Sequence, residues 1–286
     1  MKELKIIECP RDAMQGIEHP IPTELKARYL NLLLKAGFDS LDFGSFVSPK
    51  AVPQLADTAE VLAQLDTTGP TKLSAIVANL RGAVDACKYP EIDYLGYPFS
   101  ISETFQQKNT RRSIADSLEL VKEIQELCVK SDKELIIYIS MAFGNPFGDA
   151  WGPEIAERWV REMQDLGINI INMSDTIGVA DPKLITDMFS SLMASFPKAE
   201  LGAHFHSHPT TRIEKIDAAW KAGCKRFDVA LQGYGGCPFA EDELVGNIAT
   251  ESLIAYCQTE GIDTGLNQEI LAEAGNLVPQ IFLNHA

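Results

Sequence analysis

Two histidines stand two positions apart, His204 and His206, inside a segment with the composition of a β-strand, Glu200–Ser207. Side chains two apart on a strand point to the same face, so both imidazoles would be directed together from the end of one strand. Two imidazoles in this arrangement can serve as neighbouring ligands of a metal ion. The alternative is a pair of solvated or hydrogen-bonded histidines, and the rest of the chain must decide between the two interpretations.

The composition is that of an ordinary globular protein. The chain has 286 residues, of which 45% are hydrophobic and 23% are charged. This length could hold two domains, but it also suits one large α/β barrel. The formal net charge of -15 argues against a nucleic-acid partner, because contacts to phosphates require a basic surface. An anionic small molecule held by a local basic patch remains compatible with it.

Membrane and disulfide signals are both weak. No apolar run approaches the roughly 20 residues that a membrane span requires, and the N-terminal segment lacks a hydrophobic signal region. We therefore expect a cytoplasmic protein without a membrane partner. The cysteines are scattered, at positions 9, 87, 128, 224, 237 and 257. Reduced thiols are expected in such a protein, rather than disulfides.

Short β-branched or apolar runs alternate with amphipathic helical patterns along the chain. The strand candidates are Leu4–Cys9, Ser40–Phe43, Lys72–Val77, Asp93–Tyr97, Leu135–Ser140, Asn169–Met173, Leu201–His206 and Arg226–Leu231. The helix candidates include Thr23–Ala36, Val52–Leu65, Ser113–Val129, Pro153–Asp165, Pro182–Ser195 and Arg212–Ala222. This alternation predicts an α/β fold, a (β/α)8 TIM barrel. A doubly wound open sheet is the alternative, but no Gly-x-Gly-x-x-Gly turn follows the first strand.

Glycines mark the ends of three helices, at Gly37, Gly167 and Gly223. Glycine is favoured there because the residue after the last helical turn often adopts the left-handed conformation. We expect one catalytic domain over residues 1–286, in which the residues from about 250 onward add helices that cap one face of the barrel.

Polar residues fall where a TIM barrel places its active site, at the carboxyl ends of the strands. Asp12 follows the first predicted strand, and His204 and His206 end the seventh. Together they could form a mixed oxygen and nitrogen site for Mg²⁺, Mn²⁺ or a similar ion. A cap of a turn or helix is the alternative role for Asp12.

Arg11 and Cys237 are the other candidates for chemistry. Arg11 could form a simple ion pair, or it could hold a developing enolate or carboxylate with its fixed fork of donors. Cys237 lies in a Gly-Gly-Cys-Pro segment after the eighth predicted strand. A buried structural thiol is the usual role for cysteine, whereas a glycine-rich loop at the catalytic face favours a reactive acid or base.

As a set, these motifs resemble the hydroxymethylglutaryl-CoA lyases, a branch of the metal-dependent barrel lyases that is related to the isopropylmalate and homocitrate synthases. The matching segments follow the family order along nearly the whole chain: Glu8–Gln15, Ser45–Gln54, Ser174–Gly178, the histidine pair, Gly235–Ala240, Gly246–Glu251 and Gly261–Asn267. The second-strand and cysteine-loop motifs distinguish the lyases from the synthases, which share mainly the Arg-Asp pair and the two histidines.

The resemblance implies a divalent metal ion, Mg²⁺ or Mn²⁺, with four protein ligands: Asp12, His204, His206 and Asn247. It implies catalytic roles for Arg11 on the enolate, for Cys237 in proton transfer, and for Asp42 and Asp175, where Asp175 would either lie behind the metal ligands or help to orient the substrate. The implied substrate-binding residues are Gln15, Ser45, Asn79, Tyr138, Thr176 and His208, and Glu251 takes a supporting position.

The implied reaction is retro-Claisen cleavage of 3-hydroxy-3-methylglutaryl-CoA to acetyl-CoA and acetoacetate, a step of leucine catabolism and ketone-body formation. The metal would lower the pKa of the tertiary hydroxyl, and Arg11 would hold the thioester enolate that forms. Cys237 is the candidate acid that protonates this enolate. The resemblance also implies an acyl-CoA partner and a homodimer or higher homo-oligomer.

Three positions depart from the family pattern. Ala13 replaces a glycine, Asp42 replaces a glutamate, and Ser207-His208-Pro209 stands where the lyases usually continue with Asp-Thr-Tyr-Gly. In addition, the acidic segment Glu241–Val245 makes the stretch between Cys237 and Asn247 about one residue longer than in the lyases. These changes touch the substrate side more than the metal side. They leave open a related lyase, aldolase or Claisen-type condensing enzyme that acts on another hydroxyacyl-CoA or oxo-acid. A non-catalytic binding barrel is a third interpretation.

Four basic residues are candidate contacts for the phosphates of CoA, although solvated surface charge is the alternative for each: Lys50, Lys108, Arg111 and Arg112.

Overall fold

Eight parallel strands form a closed barrel in this computed structural model, which describes residues 3–236 and 245–283. The strands are β1 (Lys5–Glu8), β2 (Ser40–Ser45), β3 (Lys72–Ile76), β4 (Tyr94–Ser100), β5 (Glu134–Ser140), β6 (Ile170–Asp175), β7 (Glu200–Ser207) and β8 (Arg226–Val229). Each strand pairs with its neighbours in chain order, and β1 pairs with β8, which closes the barrel. The predicted TIM barrel is therefore confirmed. A further two-residue strand, β9 (Gly246–Asn247), pairs antiparallel with β7.

Helices surround the barrel. They are α1 (Pro10–Met14), α2 (Thr23–Lys35), α3 (Thr58–Leu62), α4 (Leu80–Ala86), α5 (Glu103–Thr110), α6 (Ile114–Lys130), α7 (Pro153–Asp165), α8 (Pro182–Ser195), α9 (Arg212–Lys221), α10 (Thr250–Glu260), α11 (Gln268–Gly275) and α12 (Val278–Phe282). Among the described residues, none of the helices is both long enough and apolar enough to cross a membrane.

Local sequence explains where several helices begin and end. Ser113 and Asp181 precede α6 and α8, and their side chains accept hydrogen bonds from backbone N–H groups of the first helical turn. Gly37, Gly167 and Gly223 follow α2, α7 and α9 with φ angles of 94°, 80° and 101°. These left-handed conformations confirm the predicted glycine caps.

The predicted helix Val52–Leu65 is shorter than expected. The chain forms a 3-10 turn at Pro53–Leu55 and then the five-residue α3. Thr58, at the break between them, is buried, and its hydroxyl donates to the carbonyl of Leu55 while it accepts from the backbone N–H of Ser45. This bond to β2 favours the interrupted conformation over a continuous helix.

Apolar side chains separate the barrel from its helices, whereas the inside of the barrel is mixed. A small apolar cluster inside the barrel consists of Ile76, Ile136, Tyr138 and Ile170. Alternation along β6 places Asn172 on the same inner face as Ile170, while Ile171 belongs to the large outer core. Polar and charged residues can therefore lie inside the barrel beneath the site.

The C-terminal helices extend the outer layer. Helix α10 packs against α9, and α11 packs against α2. Through these contacts both helices add to the layer of helices around the barrel. Helix α12 is anchored by contacts of Phe282 with the rings of Tyr29 and Tyr234.

Candidate active site

A pocket of about 250 Å³ opens at the carboxyl ends of the strands. Its lining includes eight of the predicted site residues, which come from the first, second, fifth, sixth and seventh barrel units: Arg11, Asp12, Gln15, Ser45, Tyr138, Thr176, His204 and His206. The carboxyl ends of parallel strands meet at one end of a barrel, which is why residues so far apart in sequence share one pocket.

The predicted metal ligands come together in this pocket. Asp12, His204 and His206 each place a ligand atom within 4.8 Å of the other two, and all three residues are buried. The centroids of the two imidazole rings are 5.3 Å apart, and His206 Nε2 lies 3.7 Å from Asp12 Oδ2. The histidine pair therefore shares one face of β7, as its spacing predicts.

Asn247 joins this group through β9. Pairing of β9 with β7 places Asn247 opposite His206. The Nδ2 amide of Asn247 donates to Asp12 Oδ2 at 2.8 Å and to the carbonyl of Tyr234 at 2.9 Å. A side chain at Gly235 would meet this amide, since an added Cβ would lie 2.5 Å from Asn247 Nδ2. The two-residue strand gives no hydrophobic pattern in the sequence, and only pairing with β7 defines it.

Two buried atoms support a metal ion at this place. Asn247 Oδ1 and His206 Nε2 are buried and have no hydrogen-bond partner among residues 3–236 and 245–283. Leaving such atoms unpaired costs free energy, so native structures rarely do so without a reason. With the Asp12 carboxylate they offer oxygen and nitrogen donors from neighbouring positions, a set that fits Mg²⁺, Mn²⁺ or a similar divalent ion.

Hydrogen bonds hold Arg11 in a single orientation. Its Nε and Nη2 donate to Asp42 Oδ2 at 2.9 and 2.5 Å, and its Nη1 donates to Asp12 Oδ1 at 3.0 Å and to Gln15 Oε1 at 2.9 Å. Asp42 is shorter by one methylene than the residue of the family pattern, yet it reaches Arg11 directly. The guanidinium is thereby fixed beside the group of metal-type ligands.

The charges of these side chains are set by burial and by their neighbours. Burial raises the pKa of Asp42 to about 6, against the opposing charge of Arg11. Burial also acts to raise the pKa of Asp12, but Arg11 and the two histidines outweigh it and hold that pKa well below its ordinary value. Asp12 is therefore ionised at neutral pH, the form in which a carboxylate binds a metal.

The two histidines have different partners behind them. His206 Nδ1 lies 2.8 Å from the carbonyl of Thr176, which can only accept, so Nδ1 carries the hydrogen and Nε2 is free to bind a metal. His204 Nδ1 lies 3.1 Å from Asp228 Oδ2. Burial lowers the pKa of His204, but its hydrogen bond to Asp228 and the charges of Asp228 and Asp12 raise it above its ordinary value overall.

The structure does not bring Asp175 into the pocket. Its Oδ1 accepts from the backbone N–H of Val179 and its Oδ2 accepts from that of Ala180, while Lys215 Nζ lies 2.6 Å from the same Oδ2. Lys215 also donates to the carbonyl of His206 at 3.1 Å. Asp175 and Lys215 thus form a buried ion pair that supports the end of β7 from outside the pocket.

Three other predicted residues lie away from the ligand group. Asn79 caps α4 by accepting from a backbone N–H, and it lines a neighbouring cavity. His208 hydrogen-bonds to Thr210 and lines a separate cavity. Glu251 accepts from the backbone N–H of Gln232 at 2.9 Å, a supporting contact. Cys237 lies outside the described residues.

Sequence reasoning missed Lys215 and Asp228, both almost fully buried. Asp228 lies two residues after Arg226 on β8, so the two charges share the inner face of that strand. Charged residues inside a short predicted strand are the signal that could have found Asp228. Lys215 lies on an amphipathic helix, where a lysine is ordinarily solvated, and no local signal separates it from that role.

The candidate phosphate contacts fall near one side of the pocket. Lys108, Arg111 and Arg112 lie in or directly after α5, whose residues Asn109 and Thr110 line the pocket. Lys50 is exposed in the loop after β2.

Comparisons with known proteins identify the family of the chain. The HMGL-like family model matches residues 4–278. The mitochondrial hydroxymethylglutaryl-CoA lyase of Macaca fascicularis is 33% identical over 282 residues, which cover 98% of this chain and 86% of that protein. A 3-hydroxy-3-isohexenylglutaryl-CoA/hydroxy-methylglutaryl-CoA lyase of Pseudomonas aeruginosa is 32% identical over 280 residues, 97% of this chain and 92% of that protein. The crystal structure of the HMG-CoA lyase from Brucella melitensis matches with a TM-score of 0.91 at 27% identity, covering 99% of this chain and 100% of that one. The strand order, the ligand group and these similarities lead to one conclusion: the chain belongs to the HMGL-like family.

Proposed function

We propose that this protein is a metal-dependent carbon–carbon lyase that cleaves 3-hydroxy-3-methylglutaryl-CoA to acetyl-CoA and acetoacetate. The observation that carries the proposal is the position of the Arg11 guanidinium directly beside the ligand group, where Nη1 lies 3.0 Å from Asp12 Oδ1. The reaction develops negative charge on the substrate alkoxide and then on the thioester enolate. A metal-type site with a fixed cation beside it can stabilise both charges. Relatives of this chain carry the name of this lyase.

The proposed ligands of the ion are Asp12, His204, His206 and Asn247. A divalent ion bound there, Mg²⁺ or Mn²⁺, would lower the pKa of the substrate hydroxyl and so favour transfer of its proton to solvent at the mouth of the pocket. The buried, unpartnered Asn247 Oδ1 and His206 Nε2 support this assignment.

Arg11 has the role of stabilising the enolate. The bond that breaks leaves its electron pair on the acetyl thioester, and the enolate oxygen would accept a hydrogen bond from the second Nη2 hydrogen of the guanidinium. Asp42 and Gln15 keep the guanidinium in place, since they accept the Nε hydrogen, one Nη2 hydrogen and one Nη1 hydrogen. Because the donors are oriented before the charge develops, no reorganisation is needed during the step.

The remaining proposed roles are binding of the substrate, protonation of the enolate and support of the metal ligands. Ser45, Tyr138 and Thr176 line the pocket and are proposed substrate contacts. Cys237 is the proposed proton donor to the enolate. Asp175 is proposed to act indirectly, by fixing the strand end that carries His206.

A longer substrate is the second candidate. One wall of the pocket is apolar and is formed by residues from the β2, β3 and β4 units: Val47, Ala51, Val52, Ile76, Ala78, Pro98 and Phe105. Such a wall suits a hydrocarbon group larger than methyl. The name of the relative from Pseudomonas aeruginosa includes a substrate with an isohexenyl group at this position.

The test is direct. Purified protein is incubated with 3-hydroxy-3-methylglutaryl-CoA and Mg²⁺ or Mn²⁺, and acetoacetate and acetyl-CoA are quantified by mass spectrometry. Equal amounts of both products are expected, and EDTA should abolish them. The isohexenyl thioester is assayed in parallel. If the folded, metal-supplied protein releases no acetoacetate from the methyl substrate, the proposed activity is wrong, and cleavage of the isohexenyl substrate alone would favour the second candidate.

Homo-oligomerisation and a cytoplasmic location are further proposals. They rest on the family resemblance and on the composition, respectively. Light scattering during size-exclusion chromatography measures the first, and a dimer mass or higher is expected.

A further inference from the structure

Buried polar side chains form a continuous chain of hydrogen bonds beneath His204, inside the barrel. Asp228 Oδ2 lies 3.1 Å from His204 Nδ1 and accepts from Asn172 Nδ2 at 2.8 Å. Asn172 Oδ1 in turn accepts from Arg226 Nε at 3.3 Å. Asn172 has no exposure, Asp228 is 1% exposed and Arg226 is 3% exposed, so water does not compete for these contacts.

The chain continues to the other end of the barrel. Arg226 Nη1 donates to Glu200 Oε1 at 2.9 Å, and the partly exposed Glu200 also pairs with Lys5 at 2.5 Å. Arg226 is therefore anchored at the amino-terminal ends of the strands, and its aliphatic stem runs along the inside of β7 and β8.

Glycine at position 202 makes room for this chain. Gly202 on β7 pairs with Asn172 on one side and with Arg226 on the other. A Cβ atom at Gly202 would lie 2.1 Å from Asn172 Oδ1 and 2.9 Å from Arg226 Cδ. Any side chain at this position would separate Asn172 from Arg226 and so break the chain of hydrogen bonds that leads to Asp228.

The chemistry of the four groups allows one arrangement of hydrogens. Arginine can only donate, so Asn172 must present its oxygen to Arg226 and its amide hydrogens to Asp228. An ionised aspartate can only accept, so the hydrogen between Asp228 and His204 must be carried by His204 Nδ1. His204 then has its lone pair on Nε2.

We propose that Asp228, Asn172 and Arg226 are positioning residues for the metal site, which fix His204 as the Nδ1–H tautomer and point its Nε2 toward Asp12 and His206. This inference rests on the metal site of the proposed function. Outer partners of a metal-binding histidine orient the ring and strengthen it as a ligand. In this protein the orientation comes from a buried arginine, through two intermediate side chains.

The first experiment uses the wild-type protein without metal, at a pH high enough that the His204 ring is neutral. Long-range ¹H–¹⁵N NMR of the imidazole nitrogens, with the His204 signals assigned from a His204→Gln variant, reports the tautomer directly. The Nδ1–H form is expected for His204. An Nε2–H tautomer would overturn the proposal, whatever the behaviour of any variant.

The second experiment measures metal affinity without substrate. Asp228→Asn can present its NH₂ group to His204 and so invert the tautomer, and Asn172→Leu removes the link to Arg226 at nearly equal size. Both should weaken Mn²⁺ binding by about 10- to 100-fold, read from the electron paramagnetic resonance of free Mn²⁺. The visible spectrum of the Co²⁺-loaded variants should also change, because it reports the ligand geometry and a purely structural role would leave it alone.

A matched control is Asp93→Asn. Asp93 accepts a backbone hydrogen bond from Leu73 in the same barrel, away from the metal ligands. Its Mn²⁺ affinity should equal that of the wild type. If Asp228→Asn and Asn172→Leu both keep wild-type affinity and the wild-type Co²⁺ spectrum, the positioning role is overturned. If the wild-type protein itself binds no Mn²⁺, the metal site of the proposed function fails instead, so the two failures are distinguishable.

Discussion

Asp42 Oδ2 accepts two hydrogen bonds from Arg11, from Nε at 2.9 Å and from Nη2 at 2.5 Å. Both side chains are buried, so the pair is shielded from solvent. One edge of the Arg11 guanidinium is therefore bound to Asp42. The remaining nitrogen, Nη1, donates to Asp12 and Gln15. The aspartate that replaces the glutamate of the family pattern keeps this clamp on the guanidinium.

Replacing Asp42 should lower activity by loosening Arg11. Asp42→Asn removes the negative charge, and hydrogen bonds to charged groups contribute about 1.5–3 kcal/mol, so kcat/KM should fall by roughly 10- to 100-fold. Asp42→Glu keeps the carboxylate and should retain more activity than Asp42→Asn. Steady-state kinetics on the proposed substrate measures both. Equal activity of wild type and Asp42→Asn would show that the clamp is unnecessary.

Arg11→Lys tests the enolate role itself. Lysine keeps the positive charge but has a single side-chain nitrogen in place of the planar fork. It therefore cannot bind Asp42 and also donate to the enolate in the geometry that Arg11 provides. We expect kcat to fall by about 10²- to 10³-fold, as for loss of one oxyanion donor, with KM changed little. Mn²⁺ affinity should stay near that of the wild type because the charge is kept. A loss seen only in KM would assign Arg11 to substrate binding.

Asn247→Ala tests the fourth ligand. The substitution removes the unpartnered Oδ1 and also the hydrogen bond to Asp12 Oδ2. Mn²⁺ affinity should fall by at least about tenfold, equivalent to roughly 1.4 kcal/mol. Isothermal titration calorimetry measures this, with Asn31→Ala as a control, because Asn31 binds backbone groups far from the pocket. Unchanged affinity would remove Asn247 from the ligand set.

Lys215→Met should destabilise the fold. Lys215 and Asp175 are 2% and 1% exposed, and removal of one partner leaves the other charge buried and unpaired. The free energy of unfolding should fall by about 3–5 kcal/mol, measured by urea denaturation. The double variant Lys215→Met/Asp175→Asn should lose less than the sum of the single losses. Additive losses would mean that the two residues act independently.

Glu8 makes stability depend on pH. Burial raises its pKa from 4.5 to about 8, against hydrogen bonds from Thr250 and Leu231 that favour the charged form. The folded protein therefore binds this proton more tightly than the unfolded chain does, and the stabilisation is full below the unfolded pKa and is lost as the pH rises through the folded pKa.

Between about pH 5 and about pH 8 the wild type should lose roughly 3 kcal/mol more than Glu8→Gln does. Glutamine resembles the protonated acid and cannot ionise. Denaturation curves at the two pH values compare the proteins. Parallel pH dependence in both would exclude Glu8 as the source.

Elements with a long periodic pattern could be predicted from the sequence. Helices α7 and α8 have the predicted bounds, Pro153–Asp165 and Pro182–Ser195. Their amphipathic repeat, proline start and local caps are all encoded within the segment itself. The histidine pair could likewise be predicted to share one face, because alternation along a strand is a local property.

Features that depend on a distant partner could not be predicted in this way. Strand β9 is two residues long and exists through its pairing with β7, so Asn247 was assigned by resemblance alone. The resemblance left two positions open for Asp175, behind the ligands or against the substrate, and only the tertiary contacts show that its oxygens are occupied by Lys215 and by backbone N–H groups. The break in the predicted helix Val52–Leu65 depends on the contact between Thr58 and β2.

The pocket has two unlike sides. On β6, β7 and β8, the hydrogen-bonded atoms beneath His204 allow one arrangement of donors and acceptors, and even an added methyl group at Gly202 would collide with Asn172. The side formed by the β2, β3 and β4 units is mainly apolar, with Ser45, Asn109 and Thr110 as its polar members, and van der Waals contacts restrict residue identity less than hydrogen bonds do. Substitutions on the apolar side can therefore reshape the acyl preference one residue at a time, while substitutions on the other side must occur in compatible combinations. The half of the pocket on β6, β7 and β8 thus constrains the residues around the proposed metal ligands. The half on the β2, β3 and β4 units tolerates substitutions that change which acyl group fits.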